Sequence, residues 1–218
     1  MLKSYVLRKG RATDAQKKAY DELSNKFIIP FSQNELDYEL TFGNDAPVTL
    51  EIGFGSGFAT AGIAQANPDK NYLGIEVFRP GIGKLLWEIE KRELSNIRIV
   101  EYDAAIVAEK MIPPNSLEAI HIFFPDPWPK KKHHKRRLIQ RPFTDTLAKC
   151  LKPGGYLYMV TDWEDYAVWA LEHLSATVAL KNAYDGFALP QDWRPNTKFE
   201  KKGLAKEHNI RELYFIKQ

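Results

Sequence analysis

The chain has 218 residues, of which 44% are hydrophobic, and a formal net charge of +3 at pH 7. This length and apolar content suit one globular domain with a sizeable core. A single cysteine, Cys150, excludes an intrachain disulfide and a zinc site with several cysteine ligands, and no constellation of residues predicts another metal site. No apolar run approaches the roughly 20 residues that span a membrane. The N-terminus also lacks the apolar region of a signal peptide, so we expect a cytoplasmic protein.

The predicted elements begin with a helix in the polar, basic segment 1–45, which we interpret as an N-terminal extension. Thr13 or Asp14 would cap this helix, which would run to about residue 26. From residue 47 onward, strand-like apolar runs alternate with helical patterns. Strands are predicted at 48–52, 72–77, 97–102, 117–124 and 156–161, with candidate last strands at 177–180 and 212–216. A helix follows each of the first five strands, and the one at 138–151 would be closed by the Lys-Pro-Gly-Gly segment 152–155.

This alternation predicts an α/β fold for residues 46–218, with a doubly wound, mostly parallel, Rossmann-like sheet of seven strands. In such sheets, ligands bind beyond the carboxyl ends of the strands, near the point where the strand order reverses. Polar features follow five of the predicted strands, and this coincidence marks the functional edge. They are the glycine loop 53–57, Glu76, Asp103, the loop around Asp126, and Asp162.

The glycine loop admits two interpretations. Gly53, Gly55 and Gly57 follow a strand and precede a helix, which permits a tight turn and the close approach of a ligand to the backbone. A dinucleotide would require a third glycine in the pattern G-x-G-x-x-G, but residue 58 is Phe. S-adenosylmethionine has no phosphate and needs acidic partners instead.

Acidic residues near the loop favour S-adenosylmethionine. Glu51 precedes the first glycine, Glu76 ends the second strand, and Asp103 ends the third. Coulomb attraction makes such a pocket better suited to a sulfonium and an ammonium group than to a pyrophosphate, although NAD would also use an acid at Glu76. Each acid could instead be a helix cap or a surface charge, and Asp103 is the strongest candidate for a cap.

The segment Phe124-Pro125-Asp126-Pro127-Trp128-Pro129-Lys130 places one carboxylate between two prolines. Proline fixes its own φ and restrains the preceding residue, so this loop is stiff. Six lysines and arginines follow within residues 130–137, and together they predict a nucleobase site beside a phosphate-binding surface. The alternative is a simple turn followed by a solvated charged face. Trp128 could stack on a base or wedge the loop into the core.

These residues resemble the bacterial tRNA guanine-N7 methyltransferase family, which has the class I S-adenosylmethionine-dependent fold. The resemblance covers nearly the whole chain, and the Pro-Asp-Pro-Trp-Pro-Lys element is its specific part. The matching segments are Arg8-Lys9-Gly10-Arg11, Glu51-Ile52-Gly53-Phe54-Gly55-Ser56-Gly57, Gly74-Ile75-Glu76, Phe124 to Lys130 with the basic residues that follow, Val160-Thr161-Asp162, and Thr197-Lys198-Phe199-Glu200.

The resemblance implies that S-adenosylmethionine methylates a guanine in the variable loop of tRNA. It places Asp126 at the methyl-transfer centre, against the cofactor, as the catalytic residue. The implied cofactor-binding residues are Glu51, Gly53, Gly55, Gly57, Glu76, Asp103 and Asp126. The implied substrate-binding residues are Lys130, Asp162, Thr197, Lys198, Phe199 and Glu200, and the implied RNA contacts are Lys132, His133, His134, Lys135, Arg136 and Arg137. We expect a monomer or homodimer with tRNA as its partner and no obligate protein partner.

Guanine N7 carries a lone pair and no proton, so its methylation requires no general base. We therefore expect Asp126 to orient the base and to stabilise the positive charge that develops on it. Asp162 could read a second edge of the base, or it could be the N-cap of a helix that begins at Trp163. The alternatives for the whole chain are a methyltransferase with another acceptor, an RNA-binding module without catalysis, and an NAD-dependent oxidoreductase.

Overall fold

The computed structural model describes residues 4–5, 10, 12–195, 200, 203, 205 and 207–218. The strands are β1 (Val48–Ile52), β2 (Asn71–Ile75), β3 (Ile97–Val100), β4 (Leu117–Phe123), β5 (Leu151–Thr161), β6 (Leu180–Asn182) and β7 (Arg211–Lys217). The α-helices are α1 (Asp14–Phe27), α2 (Tyr38–Phe42), α3 (Phe58–Ala66), α4 (Arg79–Lys91), α5 (Ala104–Lys110), α6 (Phe143–Cys150) and α7 (Glu164–Ser175). A 3₁₀ helix spans Lys131–Arg136.

The described strands belong to one mostly parallel sheet with the order β3-β2-β1-β4-β5-β7-β6. Strand β7 runs antiparallel to both β5 and β6. Every residue of β1 and β2 is buried, as expected for parallel strands whose two faces are covered. The predicted fold class, a seven-stranded and mostly parallel α/β sheet, is confirmed.

The chain divides into two compact units. One comprises residues 7–113 and 193–195, and we call it the glycine-loop unit. It contains β1 to β3, paired in parallel in the order β3-β2-β1. The other comprises residues 1–6, 114–192 and 196–218, and we call it the carboxyl-terminal unit. It contains β4 to β7, with β4 parallel to β5.

Helix α1 begins as predicted, because Thr13 is its N-cap. The Thr13 Oγ1 accepts a hydrogen bond from the Gln16 backbone, and the Gln16 side chain accepts one from the Thr13 backbone, which is the reciprocal capping box. After the helix, the Ile29 N–H donates to the carbonyl of Ile99 on β3 at 2.7 Å. Residues 12–45 are therefore an integral part of the glycine-loop unit.

Three predicted boundaries in the carboxyl-terminal unit differ from the structure. Strand β5 begins at Leu151, so the Lys-Pro-Gly-Gly segment lies inside a strand, where Gly154 has a φ of +78°. Helix α6 begins at Phe143, because the 3₁₀ helix and the connection after it occupy the preceding residues. The strand predicted at 177–180 begins only at Leu180. The reason is that Thr177 completes the end of α7, where its hydroxyl donates to the carbonyl of His173.

No described helix combines the length and the apolar character that crossing a bilayer would require.

We expect Gly83→Ala to destabilise the protein. A Cβ at Gly83 would lie 2.6 Å from the carbonyl oxygen of Gln16 on α1, and overpacking of this kind costs about 1–3 kcal/mol. The matched control is Gly62→Ala in α3, where no heavy atom lies within 4 Å of the added Cβ. That control should gain about 0.5–1 kcal/mol from helix propensity. Urea denaturation measures both free energies of unfolding, and equal values would contradict the close packing of α1 on α4.

Candidate functional site

The glycine loop joins β1 to α3 in a conformation that favours glycine at three positions. Gly53, Gly55 and Gly57 have φ values of +74°, +58° and +66°, in the left-handed region that other residues rarely adopt. At Gly57 a side chain would also lie 2.6 Å from the side chain of Leu85 on α4. The loop backbone is therefore open to a ligand without intervening side chains at these three positions.

Two further glycines support the loop, and the sequence reasoning missed both roles. A Cβ at Gly81, in the first turn of α4, would overlap the carbonyl oxygen of Gly55. A Cβ at Gly74, on β2, would lie 2.7 Å from the ring of Phe54. The signal for Gly81 was present in the sequence, because a glycine inside a helix costs stability unless packing requires it.

Glu76 fastens the end of β2 to the glycine loop. One carboxylate oxygen accepts a hydrogen bond from the Gly55 N–H at 2.8 Å, and the other accepts from the N–H groups of Val77 and Phe78 at 2.7 and 3.0 Å. A carboxylate offers about four acceptor positions. Any ligand hydroxyl at this site would share Glu76 with the backbone that it organises.

Glu51 is a buried acid directly before the loop, with 3% of its surface exposed. Burial raises the pKa of its carboxyl to about 7, and the negative charge of Glu76 adds to this rise, while the hydroxyl of Thr60 opposes it. Burial disfavours the charged form because solvation is lost. The structure therefore places next to the loop an acid that an approaching cation could ionise.

Asp103 caps α5, which confirms the interpretation of this residue as a helix cap. Its Oδ1 accepts hydrogen bonds from the backbone N–H groups of Ala105 and Ile106 at 2.9 and 3.4 Å. The ring of the preceding Tyr102 stacks on Phe31, with centroids 4.1 Å apart. The predicted contact of Asp103 with a cofactor stays a prediction.

The loop that carries Asp126 leaves the end of β4 with unusual backbone geometry. Phe124 and Trp128 have φ values of +50° and +47°, which strain bulky side chains by about 1–3 kcal/mol each. The Phe124 N–H is held by the carbonyl of Val160 at 2.8 Å. Backbone strain of this kind concentrates at functional sites, and Asp126 lies, half-buried, between the two strained residues.

Trp128 is held by three contacts within the carboxyl-terminal unit. Its indole N–H donates to the carbonyl of Ser4 at 3.0 Å. The guanidinium of Arg136 lies 4.8 Å from the ring centroid, and the ring of His133 meets the indole edge-on at 5.7 Å. These contacts fit the interpretation in which Trp128 fixes the loop rather than the one in which it stacks on a base.

The basic residues in and beside the 3₁₀ helix differ in burial. Four lysines are exposed, whereas both histidines and Arg136 are half-buried and Arg137 is buried. The exposed set, which we call the lysine face, is Lys130, Lys131, Lys132 and Lys135. Lys131 was absent from the predicted RNA contacts. Desolvation and the neighbouring cations lower the pKa of His133, so its ring is neutral at pH 7.

Arg137 corrects one prediction, because the structure does not present it for RNA contact. Only 1% of its surface is exposed. Its Nε donates to the carbonyl of Pro127 at 3.0 Å, and its Nη2 donates to Asp165. A side chain that is buried and bonded in this way has no surface to offer to a phosphate.

Asp162 lies after β5 but does not cap α7. The N-cap of α7 is Trp163, without a side-chain hydrogen bond, so the cap interpretation of Asp162 is wrong. Its Oδ2 lies 3.6 Å from the Nδ1 of His208, and a Cβ at Gly203 would lie 2.9 Å from the Asp162 Cβ. His208 therefore joins the candidate site, although no motif singled it out.

The remaining predicted residues divide between described and undescribed parts of the chain. Thr197, Lys198 and Phe199 lie outside the described residues, and Glu200 is buried. The glycine loop, Glu51, Glu76 and Asp103 belong to the glycine-loop unit, whereas Asp126, the basic residues and Asp162 belong to the carboxyl-terminal unit. Within the described ranges, no group of three His, Cys, Asp or Glu side chains could hold a metal ion.

Known proteins similar to this chain are methyltransferases. Residues 45–213 match the family model described as "Putative methyltransferase". The tRNA (guanine-N(7)-)-methyltransferase of Bordetella parapertussis is 50% identical over 214 residues, covering 98% of this chain and 84% of the relative. The tRNA (guanine-N(7)-)-methyltransferase of Nitrosospira multiformis is 49% identical over 217 residues, covering 100% of this chain and 95% of the relative. The crystal structure of the 16S rRNA methyltransferase KamB matches with a TM-score of 0.62 at 15% identity, over 85% of this chain and 96% of that chain, which supports the fold alone.

We expect Glu51→Gln to stabilise the protein in a pH-dependent manner. The folded protein holds the Glu51 proton up to about pH 7, whereas the unfolded chain releases it near the ordinary glutamate pKa of 4.5, so the wild type loses stability as pH rises between these values. The glutamine variant does not titrate. Its advantage should therefore be small at pH 5 and should reach roughly 3 kcal/mol at pH 8.

Urea denaturation at both pH values measures this difference. The exposed carboxylate of Glu90, on α4, supplies the control variant Glu90→Gln. A pH-independent gap for Glu51→Gln would contradict the raised pKa.

Proposed function

Since the chain belongs to the tRNA (guanine-N(7)-)-methyltransferase family, we propose that it transfers the methyl group of S-adenosylmethionine to N7 of a guanine in the variable loop of tRNA. The observation that carries the proposal is the strained, proline-bounded loop with Asp126, which leads directly into the lysine face. A rigid carboxylate beside exposed lysines suits a nucleotide in RNA, since the carboxylate would contact the base while the lysines contact the neighbouring phosphates. A cytoplasmic location belongs to the same proposal.

The glycine-loop unit suits S-adenosylmethionine in the chemistry of its side chains. Gly53, Gly55 and Gly57 would let the cofactor approach the backbone, and Glu51 would pair with a cationic group of the cofactor as it ionises. Glu76 would share its carboxylate with the ribose, and Asp103 would contribute the oxygen that does not cap α5. When bound, the cofactor supplies an electrophilic methyl group.

Asp126 acts in this proposal as a positioning and electrostatic group at the methyl-transfer centre, where it also contacts the cofactor. Because N7 bears no proton, the carboxylate need not accept one from the nucleophile. It accepts hydrogen bonds from the guanine, aligns N7 with the reacting methyl group and stabilises the positive charge that forms on the ring. Orientation and fixed charges are the large contributions to such reactions. The prolines on either side of Asp126 support this role, since they restrict the backbone that carries it.

The RNA substrate would be held by two kinds of contact. The lysine face, with the half-buried His133, His134 and Arg136 behind it, would bind phosphates without reading sequence. Lys130 and Asp162 would contact the guanosine itself, and the segment of Thr197, Lys198, Phe199 and Glu200 is proposed to complete that contact. Two observations support a place for Asp162 in the site. Its carboxylate does not cap α7, and it lies 3.6 Å from the imidazole of His208.

We expect the protein to produce 7-methylguanosine from unmodified tRNA and methyl-labelled S-adenosylmethionine. Asp126→Asn keeps the shape of the side chain but removes its charge, so turnover should fall about 10²- to 10³-fold while the Kd for tRNA stays unchanged. Nucleoside analysis identifies the labelled product, and the exposed Asp69→Asn serves as the control. Label in another nucleoside would overturn the proposed acceptor. Near-wild-type turnover by Asp126→Asn, with unchanged tRNA affinity, would overturn the role of Asp126.

We expect Lys132→Ala and Lys135→Ala each to weaken tRNA binding and to reduce its dependence on salt. Each phosphate contact that is lost should lower the slope of log K against log salt by about 1. Lys181→Ala, at an exposed lysine on β6 in the same unit, is the matched control and should leave the slope unchanged. Filter binding across a salt series measures the slopes. Equal slopes for all three variants would remove the lysine face from the RNA interface.

A further inference from the structure

Arg137 differs from the basic residues before it in burial and in bonding. The lysine face is exposed, but the Arg137 side chain is fully enclosed. A buried guanidinium is costly unless it is paired and hydrogen-bonded. Its contacts therefore indicate what the residue does.

The guanidinium of Arg137 joins the Asp126 loop to α7. Its Nε donates to the carbonyl oxygen of Pro127, the residue directly after Asp126, at 3.0 Å. Its Nη2 donates to the carboxylate of Asp165, in the first turn of α7. The same hydrogen bond holds the pKa of Asp165 below its usual range, so the ion pair is intact at neutral pH.

Two aromatic rings of α7 enclose this guanidinium. Its central carbon lies 5.1 Å from the ring centroids of both Tyr166 and Trp169. The Tyr166 hydroxyl accepts a hydrogen bond from the Ile139 N–H at 3.1 Å, and the Trp169 indole donates one to the Ile139 carbonyl at 2.7 Å. The backbone on the carboxyl side of Arg137 is thus fixed to α7 as well.

We propose that Arg137 is a positioning residue for methyl transfer, which holds the Pro127 carbonyl against α7 and thereby sets the place of Asp126. This role rests on the proposed function of Asp126 as the group that orients guanine. Arg137 touches neither base nor phosphate and acts only through the loop. Because α7 also begins two residues after Asp162, the same helix would fix both carboxylates of the proposed guanine site.

An arginine is required at this position for geometric reasons. The planar fork presents donors in two directions and stacks on aromatic faces, whereas a lysine ammonium is a point charge on a flexible chain. A lysine at position 137 would keep the charge but could not reach Pro127 and Asp165 while lying between two rings. Arg137→Lys therefore removes the positioning and retains the cation.

The experiment compares Arg137→Lys with Arg141→Lys in the full-length protein. Arg141 is exposed and pairs with Asp145 at 2.9 Å, so the control makes the same substitution outside the enclosed site. A second variant, Asp165→Asn, keeps an acceptor for the guanidinium but removes the charge. The first measurement is hydrogen exchange of peptides that cover residues 123–136. Arg137→Lys should exchange faster there, Asp165→Asn should lie between it and the wild type, and Arg141→Lys should match the wild type.

The second measurement separates positioning from RNA contact. In single turnover with saturating cofactor and tRNA, Arg137→Lys should slow methyl transfer by about 10- to 100-fold, with the salt slope of tRNA binding unchanged. A slope reduced by about 1 with an unchanged single-turnover rate would make Arg137 an RNA contact and overturn the proposal. An unchanged exchange rate in the loop would overturn it as well. If Arg137→Lys does not fold, the decision passes to Asp165→Asn under the same criteria.

Failure of the proposed function would be recognised separately. If the wild type forms no 7-methylguanosine, the function is wrong, but hydrogen exchange still reports whether Arg137 holds the loop. If the wild type forms the product and the loop loosens in Arg137→Lys without a loss of rate, only the positioning role is wrong.

Discussion

Steric exclusion around the glycine loop is the constraint on which the candidate site residues of the glycine-loop unit depend. Gly81 of α4 leaves room for the carbonyl of Gly55, and Gly83, one half-turn later, leaves room for the backbone of α1. Helix α4 thus packs closely against the glycine loop at its first turn and against α1 along its side, because Gly81 and Gly83 have no side chains. The carboxylate of Glu76 then fastens the loop to the end of β2, because it accepts hydrogen bonds from the N–H of Gly55 and from those of Val77 and Phe78. Backbone approach, more than side-chain contact, shapes this part of the molecule.

In the carboxyl-terminal unit, the candidate site residues depend on a difference in burial between the lysines and Arg137. A single basic run supplies an exposed lysine face and one enclosed guanidinium, and the type of cation differs with the depth. Lysine suits the surface, since its ammonium is strongly hydrated, and arginine suits the interior, since its planar group can satisfy several acceptors at once. The segment from Lys130 to Arg137 therefore combines two proposed functions that composition alone presents as one.

Sequence reasoning was most successful where the signal was local. The apolar runs placed β1 and β4 to within a residue, and Thr13 was one of the two residues predicted to cap α1. It failed where distant contacts decide. Arg137 resembles its neighbours in sequence, but Asp165, Tyr166 and Trp169 determine its burial. No residue near Asp162 in the sequence indicates its contact with His208, which lies 46 positions further along the chain. The local pattern of the Asp126 loop and the basic run predicted a nucleobase site beside a phosphate-binding surface, whereas the place of Asp126 at the methyl-transfer centre and the individual RNA contacts came from the family resemblance.

The buried carboxyl of Glu51 has a calorimetric consequence. With its pKa near 7, about half of the protein molecules at neutral pH hold a proton at this site. A cation that binds beside Glu51 favours the ionised carboxylate, so some of these protons are released into solution. The buffer takes up those protons, and its own heat of ionisation enters every enthalpy that is recorded. Titrations in phosphate and in Tris would then give different apparent enthalpies for the same association, and their difference would count the protons displaced from Glu51.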